Sequence, residues 1–124
     1  MQLILLIGFA GFLGTIARYL SGQLIYQFLP VSFPYGTLIV NILGCFIIGL
    51  AYGWFEKENI YSNEWKLIFA TGFCGGFTTF SAFSIENIQL LRDGQFGFAL
   101  LYIFVSVVIG ISATFGGVSL IKNI

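Results

Sequence analysis

An all-α membrane protein of four transmembrane helices is the fold this sequence predicts, and three observations predict it. Of the 124 residues, 58% are hydrophobic and 8% charged, whereas a soluble domain carries about 25% charged residues to face water. Four apolar stretches, residues 2–28, 33–55, 65–91 and 95–121, are each long enough to cross ~30 Å of hydrocarbon, which takes about 20 helical residues. The breaks between them are short and carry turn or charge signals: LPVSFP with Pro30 and Pro34, then EKENIYSNE, then RDGQ. Short loops put successive helices side by side. Residues 1–124 therefore read as one four-helix domain, without linker, low-complexity tract or internal repeat.

The same composition excludes several functions. Five basic residues (Arg18, Lys57, Lys66, Arg92, Lys122) balance five acidic ones (Glu56, Glu58, Glu64, Glu86, Asp93), so no basic patch is offered to nucleic acid. There is no histidine, and Cys45 and Cys74 stand singly inside apolar runs, without the spacing of zinc or redox sites. They read as small apolar packing residues. With no paired acid and base either, an enzyme is not expected. The opening MQLILLIGFAGFLG lacks the basic n-region of a signal peptide and is expected to stay as a membrane helix.

Polar and small residues inside a bilayer turn toward protein or water, and helical spacing collects them into stripes. The first helix carries Gly8, Gly11, Gly14, Thr15, Arg18, Ser21 and Gly22, and the second Thr37, Asn41, Gly44 and Cys45. The fourth carries Tyr102, Ser106, Gly110, Ala113, Thr114 and Gly117. Close helix packing accounts for the glycines and alanines. It accounts less well for Asn41, Arg18 and the hydroxyls, because a buried amide or charge needs partners and is a functional candidate inside a membrane. Arg18 lies near enough to the far end of its helix to snorkel, so a structural, anchoring role suits it as well as contact with a substrate.

The third span holds the densest signal, GFCGGFTTFSAFSIE, residues 72–86. Gly72, Gly75 and Gly76 fall about a dozen residues into the span, close to the midplane at ~1.5 Å per residue. A broken third helix is expected there, since non-helical backbone at that depth must be buried in protein or line a polar cavity. The alternative is a glycine-rich packing face with no break. Beyond the glycines, Phe80 and Phe83 share a helix face. Their electropositive ring edges can meet an anion without trapping it as a full charge would. Ser and Thr hydroxyls and the Asn41 amide can donate hydrogen bonds in the same way. Such a lining suits a small, strongly hydrated anion passing weak sites in series; the ordinary alternative is that both rings merely face lipid or a neighbouring helix.

The run GFCGGFTTFSAF, with Asn41 and NILGCFIIG in the second helix and TIARY in the first, resembles the Fluc fluoride channels of bacteria, also called CrcB proteins. The likeness covers essentially the whole chain. Family members often have Thr where this chain has Ala82. The resemblance implies a passive fluoride channel in the bacterial inner membrane, multi-pass, with two antiparallel subunits forming two pores. It implies that Phe80 and Phe83 line the fluoride path opposite Asn41, with the hydroxyls of Ser81, Ser84, Thr79 and Thr114 along or near it. By the same likeness the backbone carbonyls of Gly75 and Thr78 hold a structural sodium ion shared on the two-fold axis, and Glu86 sits toward a vestibule.

Charge placement agrees with an antiparallel homodimer. Alternating helices put Lys57, Lys66 and Lys122 on one side and Arg18 and Arg92 toward the other, a near balance that permits insertion both ways. The rival reading is a small four-helix multidrug or guanidinium exporter driven by proton exchange. It would want a carboxylate in the first helix, which has Arg18 and no acid. A non-conducting membrane subunit would explain the glycine stripes but leaves Asn41 and the hydroxyl run unexplained.

Overall fold

The computed structural model describes residues 1–59 and 63–124; Ile60, Tyr61 and Ser62, inside the expected break EKENIYSNE, lie outside the described residues. The described residues form helices α1 (Gln2–Phe28), α2 (Tyr35–Lys57), α3 (63–77), α4 (Phe80–Arg92) and α5 (Phe96–Asn123), with no strand among them. Helices α3 and α4 together make the third of four spans long and apolar enough to cross a membrane. The chain is an all-helical membrane protein of the expected architecture.

Local sequence sets the ends of these helices. Leu29 turns extended (φ −121°, ψ 148°) because the following Pro30 disfavours the helical region. Helix α4 closes through Gly94 at φ +74°, with Gly94 N–H bonding the Leu91 carbonyl at 3.1 Å and Gln95 N–H the Leu90 carbonyl at 2.8 Å. That pair of bonds needs a left-handed residue, which glycine supplies without a Cβ clash.

The exterior is apolar. Ile4, Leu5, Phe9, Phe12, Leu20 and Leu24 of α1 are exposed, as are Leu100, Phe104, Ile111 and Phe115 of α5, the arrangement expected where lipid replaces water. Lipid gives no hydrophobic drive for helices to associate, so close backbone approach has to hold them together. Helix α2 packs most extensively on α5 and α1 on α3. On the first seam, a methyl at Gly117 would lie within 3.0 Å of α2 backbone at Phe46, Gly49 and Leu50. On the second, a methyl at Gly76 would run into the Gly11 carbonyl, and one at Gly14 into the Phe73 carbonyl.

Helix α3 changes its winding along its length. It is α-helical over Asn63–Lys66, π-helical over Leu67–Cys74 and α-helical again over Gly75–Phe77. Thr78 (φ −90°, ψ 159°) and Thr79 (φ −151°, ψ 117°) are then extended before α4 begins. The third span is broken as expected, but two to three residues beyond the glycines thought to break it. Gly75 itself is helical (φ −62°, ψ −37°). Gly72 and Gly76 serve the packing alternative, meeting α1 at Ala10 and Gly11, while the break falls where side chains can partner the freed backbone.

Neighbouring glycines in α5 therefore differ in consequence. Gly117→Ala is expected to destabilise the fold by about 1–3 kcal/mol through forced separation of α2 and α5. Gly116→Ala, where a Cβ meets nothing within 4 Å, should be neutral or slightly stabilising. Thermal loss of the monodisperse peak on a sizing column, in matched detergent, measures both.

Candidate functional site

The break is held by α2. Asn41 and Gly44 stand one turn apart and share a face. A methyl at Gly44 would run into the Thr78 side chain, so only glycine lets the break approach closely enough for Asn41 to reach it. Asn41 Oδ1 accepts from Thr79 N–H at 2.8 Å, and its Nδ2 donates to the Thr79 carbonyl at 3.0 Å. These two bonds partner both backbone groups of one extended residue, as a neighbouring strand would.

The two threonines finish the ends. Thr78 N–H and Oγ1 both donate to the Cys74 carbonyl, each at 2.9 Å, closing α3. Thr79 Oγ1 accepts from Ala82 N–H at 3.2 Å and so caps α4 at its third N–H. In a continuous helix Thr79 N–H would bond the Gly75 carbonyl. Its diversion to Asn41 leaves that carbonyl without its helical donor.

A cavity of about 400 Å³ opens at this break. Asn41, Gly75, Thr78, Thr79, Phe80 and Phe83 all border it, with Cys45, Cys74 and Ser106, and among the described residues no charged side chain lines it. The Phe80 and Phe83 rings lie 5.5 Å apart at 40°. Phe83 also meets Tyr102 edge-on at 4.9 Å and 63°, which fixes its plane, while Phe80 is 79% exposed. Ser106 Oγ is buried without a hydrogen-bond partner. It had appeared only as one member of the polar stripe on α5, and nothing in the sequence distinguished it from the other hydroxyls.

The remaining expected residues lie elsewhere. Ser81 and Ser84 are exposed and outside the cavity lining, although Ser81 Oγ is 3.3 Å from Thr79 Oγ1. The Thr114 hydroxyl faces the Cys45 carbonyl at 3.0 Å and the Gly110 carbonyl at 3.3 Å, tying α5 to α2. A second cleft, of about 350 Å³, contains Arg18 and Glu86 together with Thr15, Thr37 and Thr79. Glu86 accepts from Thr37 Oγ1 at 2.6 Å and from Tyr102 OH at 2.7 Å, one bond to each carboxylate oxygen. Among the described residues no ion pair joins Arg18 to Glu86, and Arg18 Nε is buried without a partner. Thr37 and Tyr102 were legible only as stripe members; their convergence on Glu86 is a product of the fold.

Residues 5–118 match the family model described as CrcB-like protein, Camphor Resistance (CrcB). A relative in Flavobacterium psychrophilum is 46% identical over 124 residues, all of both chains. One in Leptospira interrogans is 47% identical over 97% of this chain and 94% of its own, and one in Escherichia coli 44% over 86% and 83%. Each of these bears the name fluoride-specific ion channel FluC. The neutral cavity at a broken third helix thus sits on a four-helix membrane scaffold matched along nearly its whole length, and the chain belongs to the CrcB family.

Proposed function

We propose that this chain is the subunit of a fluoride-selective channel, passing fluoride passively out of a bacterial cell across the inner membrane. The observation that carries the reading is the cavity at the break, bordered by the Phe80–Phe83 pair and by neutral donors, with no charged group in its lining. Fluoride holds its water tightly, so a path must replace that water without binding so strongly that the ion stays. Ring edges and the unpartnered Ser106 hydroxyl answer that requirement. Full-length relatives named as fluoride-specific channels support the same ion.

Two features of the reading need a second copy of the chain. Phe80 is largely exposed in a single chain, and an antiparallel partner inserted by dual topology would enclose it. The Gly75 and Thr78 carbonyls fit a hard monovalent cation, being neutral oxygens at a break whose helical donor has gone to Asn41. Together with their symmetry mates they would hold a sodium ion. Such an ion supplies positive charge that ties the two broken helices together.

Three tests follow. Phe80→Ile and Phe83→Ile keep an apolar side chain and remove the ring edge. They are expected to elute as intact dimers, with losses of about 1–2 kcal/mol, and to pass little fluoride from liposomes read by an ion-selective electrode. Wild-type efflux from both would return the rings to packing. Asn41→Ala should cost more than either, because it leaves the Thr79 N–H and carbonyl without partners at about 1–3 kcal/mol each. Its flux and its thermal midpoint should fall together, whereas Phe83→Ile should lose flux with the smaller change in midpoint. Replacing sodium by N-methylglucamine should lower the dimer's thermal midpoint; an unchanged midpoint, with no ordered cation on the axis of an experimental dimer structure, counts against the ion.

A further inference from the structure

The chain has two cysteines and no histidine, and the fold sets both in the lining of one cavity. Cys45 is on α2 and Cys74 on the π-helical part of α3, and both border the cavity that also contains Phe80 and Phe83. Both are free thiols. Cys74 is 3% exposed, shielded from lipid while bordering the cavity. Cys45 Sγ lies against Gly110, 3.5 Å from where a Cβ would stand. Every other donor around the cavity is a hard oxygen, an amide or a ring edge.

We propose that Cys45 and Cys74 together form a two-sulfur site for a soft, two-coordinate d10 cation, mercury(II) being the probe that fits best, and that its occupancy closes the cavity. Soft cations prefer thiolate to the oxygen donors that line the rest of the cavity. Zinc takes four ligands in a closed site, and among the described residues no group of three or more His, Cys, Asp or Glu is placed to supply them. Mercury(II) is satisfied by two sulfurs in a line. Binding releases one proton from each thiol and forms two Hg–S bonds; nothing is oxidised or reduced. The S–Hg–S unit is neutral, so it adds no net charge at membrane depth, where an unpaired charge is costly.

The flux arm of the test rests on the channel reading above, and the binding arm does not. Purified protein in detergent is titrated with mercuric chloride, following the sulfur-to-mercury charge-transfer absorption and the number of thiols left to react. The expected result is one mercury per chain with both thiols consumed. Cys45→Ala and Cys74→Ala should each bind about 100-fold more weakly, because the second sulfur then no longer acts within the same molecule, and the double variant should show no charge-transfer band. In liposomes, mercury should stop fluoride efflux from wild type, and a dithiol chelator should restore it. Each cysteine variant is compared with its own rate before mercury, and the double variant should keep that rate.

Two mercury ions per chain, or equal affinity in wild type and both single variants, overturns the paired site. Full efflux with one mercury bound overturns the closure. A wild-type protein that passes no fluoride before mercury is added defeats the channel reading alone, and the stoichiometry still decides the site. Should the double variant fail to elute normally, the two single variants carry the same comparison.

Discussion

The two hydrogen bonds between the Asn41 amide and the Thr79 backbone are the constraint on which the rest of this structure depends. A membrane offers no water to partner a freed N–H or carbonyl, so a helix can open at depth only where protein supplies substitutes. Asn41 substitutes for both groups of one residue at once. With Thr79 extended, its hydroxyl is free to cap α4, and the new helix starts in a direction that α3 could not have given it. Removing the amide would leave the Thr79 N–H and carbonyl without partners where no water can replace them.

Reaching Thr79 from α2 demands that helices lie unusually close, and glycine permits it. Gly44 makes room for Thr78, and Gly117 lets α5 settle on the α2 backbone. Gly76 and Gly14 do the same for α3 on α1. Helix α4, lacking such a seam, is held instead by polar and aromatic contacts. Glu86 is gripped by Thr37 and Tyr102, and Tyr102, fully buried, stacks edgewise on both Phe83 and Phe33. Ring orientation at the cavity is thereby coupled to a carboxylate in the neighbouring cleft, through one tyrosine.

Much of this was legible in the sequence because membrane rules are strict. Apolar length determined the four spans to within a few residues, and the polar stripes on α2 and α5 named Thr37, Asn41, Tyr102 and Ser106 before the structure placed any of them. The break was misplaced for a physical reason. Glycine marks both conformational freedom and close approach, and at Gly72 and Gly76 the second use applies; a threonine pair with an asparagine facing it from another helix is a long-range signal that local reading misses. Hydroxyls carry the same ambiguity. Thr79 and Thr114 direct theirs to Ala82 N–H and to the Cys45 and Gly110 carbonyls, and no spacing rule separates a hydroxyl that closes a helix from one that faces a cavity. The cysteines stand apart along the chain, yet both border one cavity once α2 and α3 are in place.

An exposed phenylalanine in lipid needs no explanation, since a phenyl ring is at home there; Phe80 alone therefore says little about a partner. The polar groups say more. Gly75 is exposed and its carbonyl has lost its helical donor, Ser106 Oγ is buried without a bond, and so is Arg18 Nε. Hydrocarbon can satisfy none of the three, and each left unmatched costs on the order of a few kcal/mol. Thr79 borders both the cavity holding Gly75 and Ser106 and the cleft holding Arg18, so these groups lie on two sides of one broken helix. On the proposed channel reading, water or an ion in the path and a second copy of the chain are the partners that would meet them. A purely lipid-facing packing subunit leaves these unpartnered groups unexplained, whereas the proposed path for a hydrated ion gives them a use.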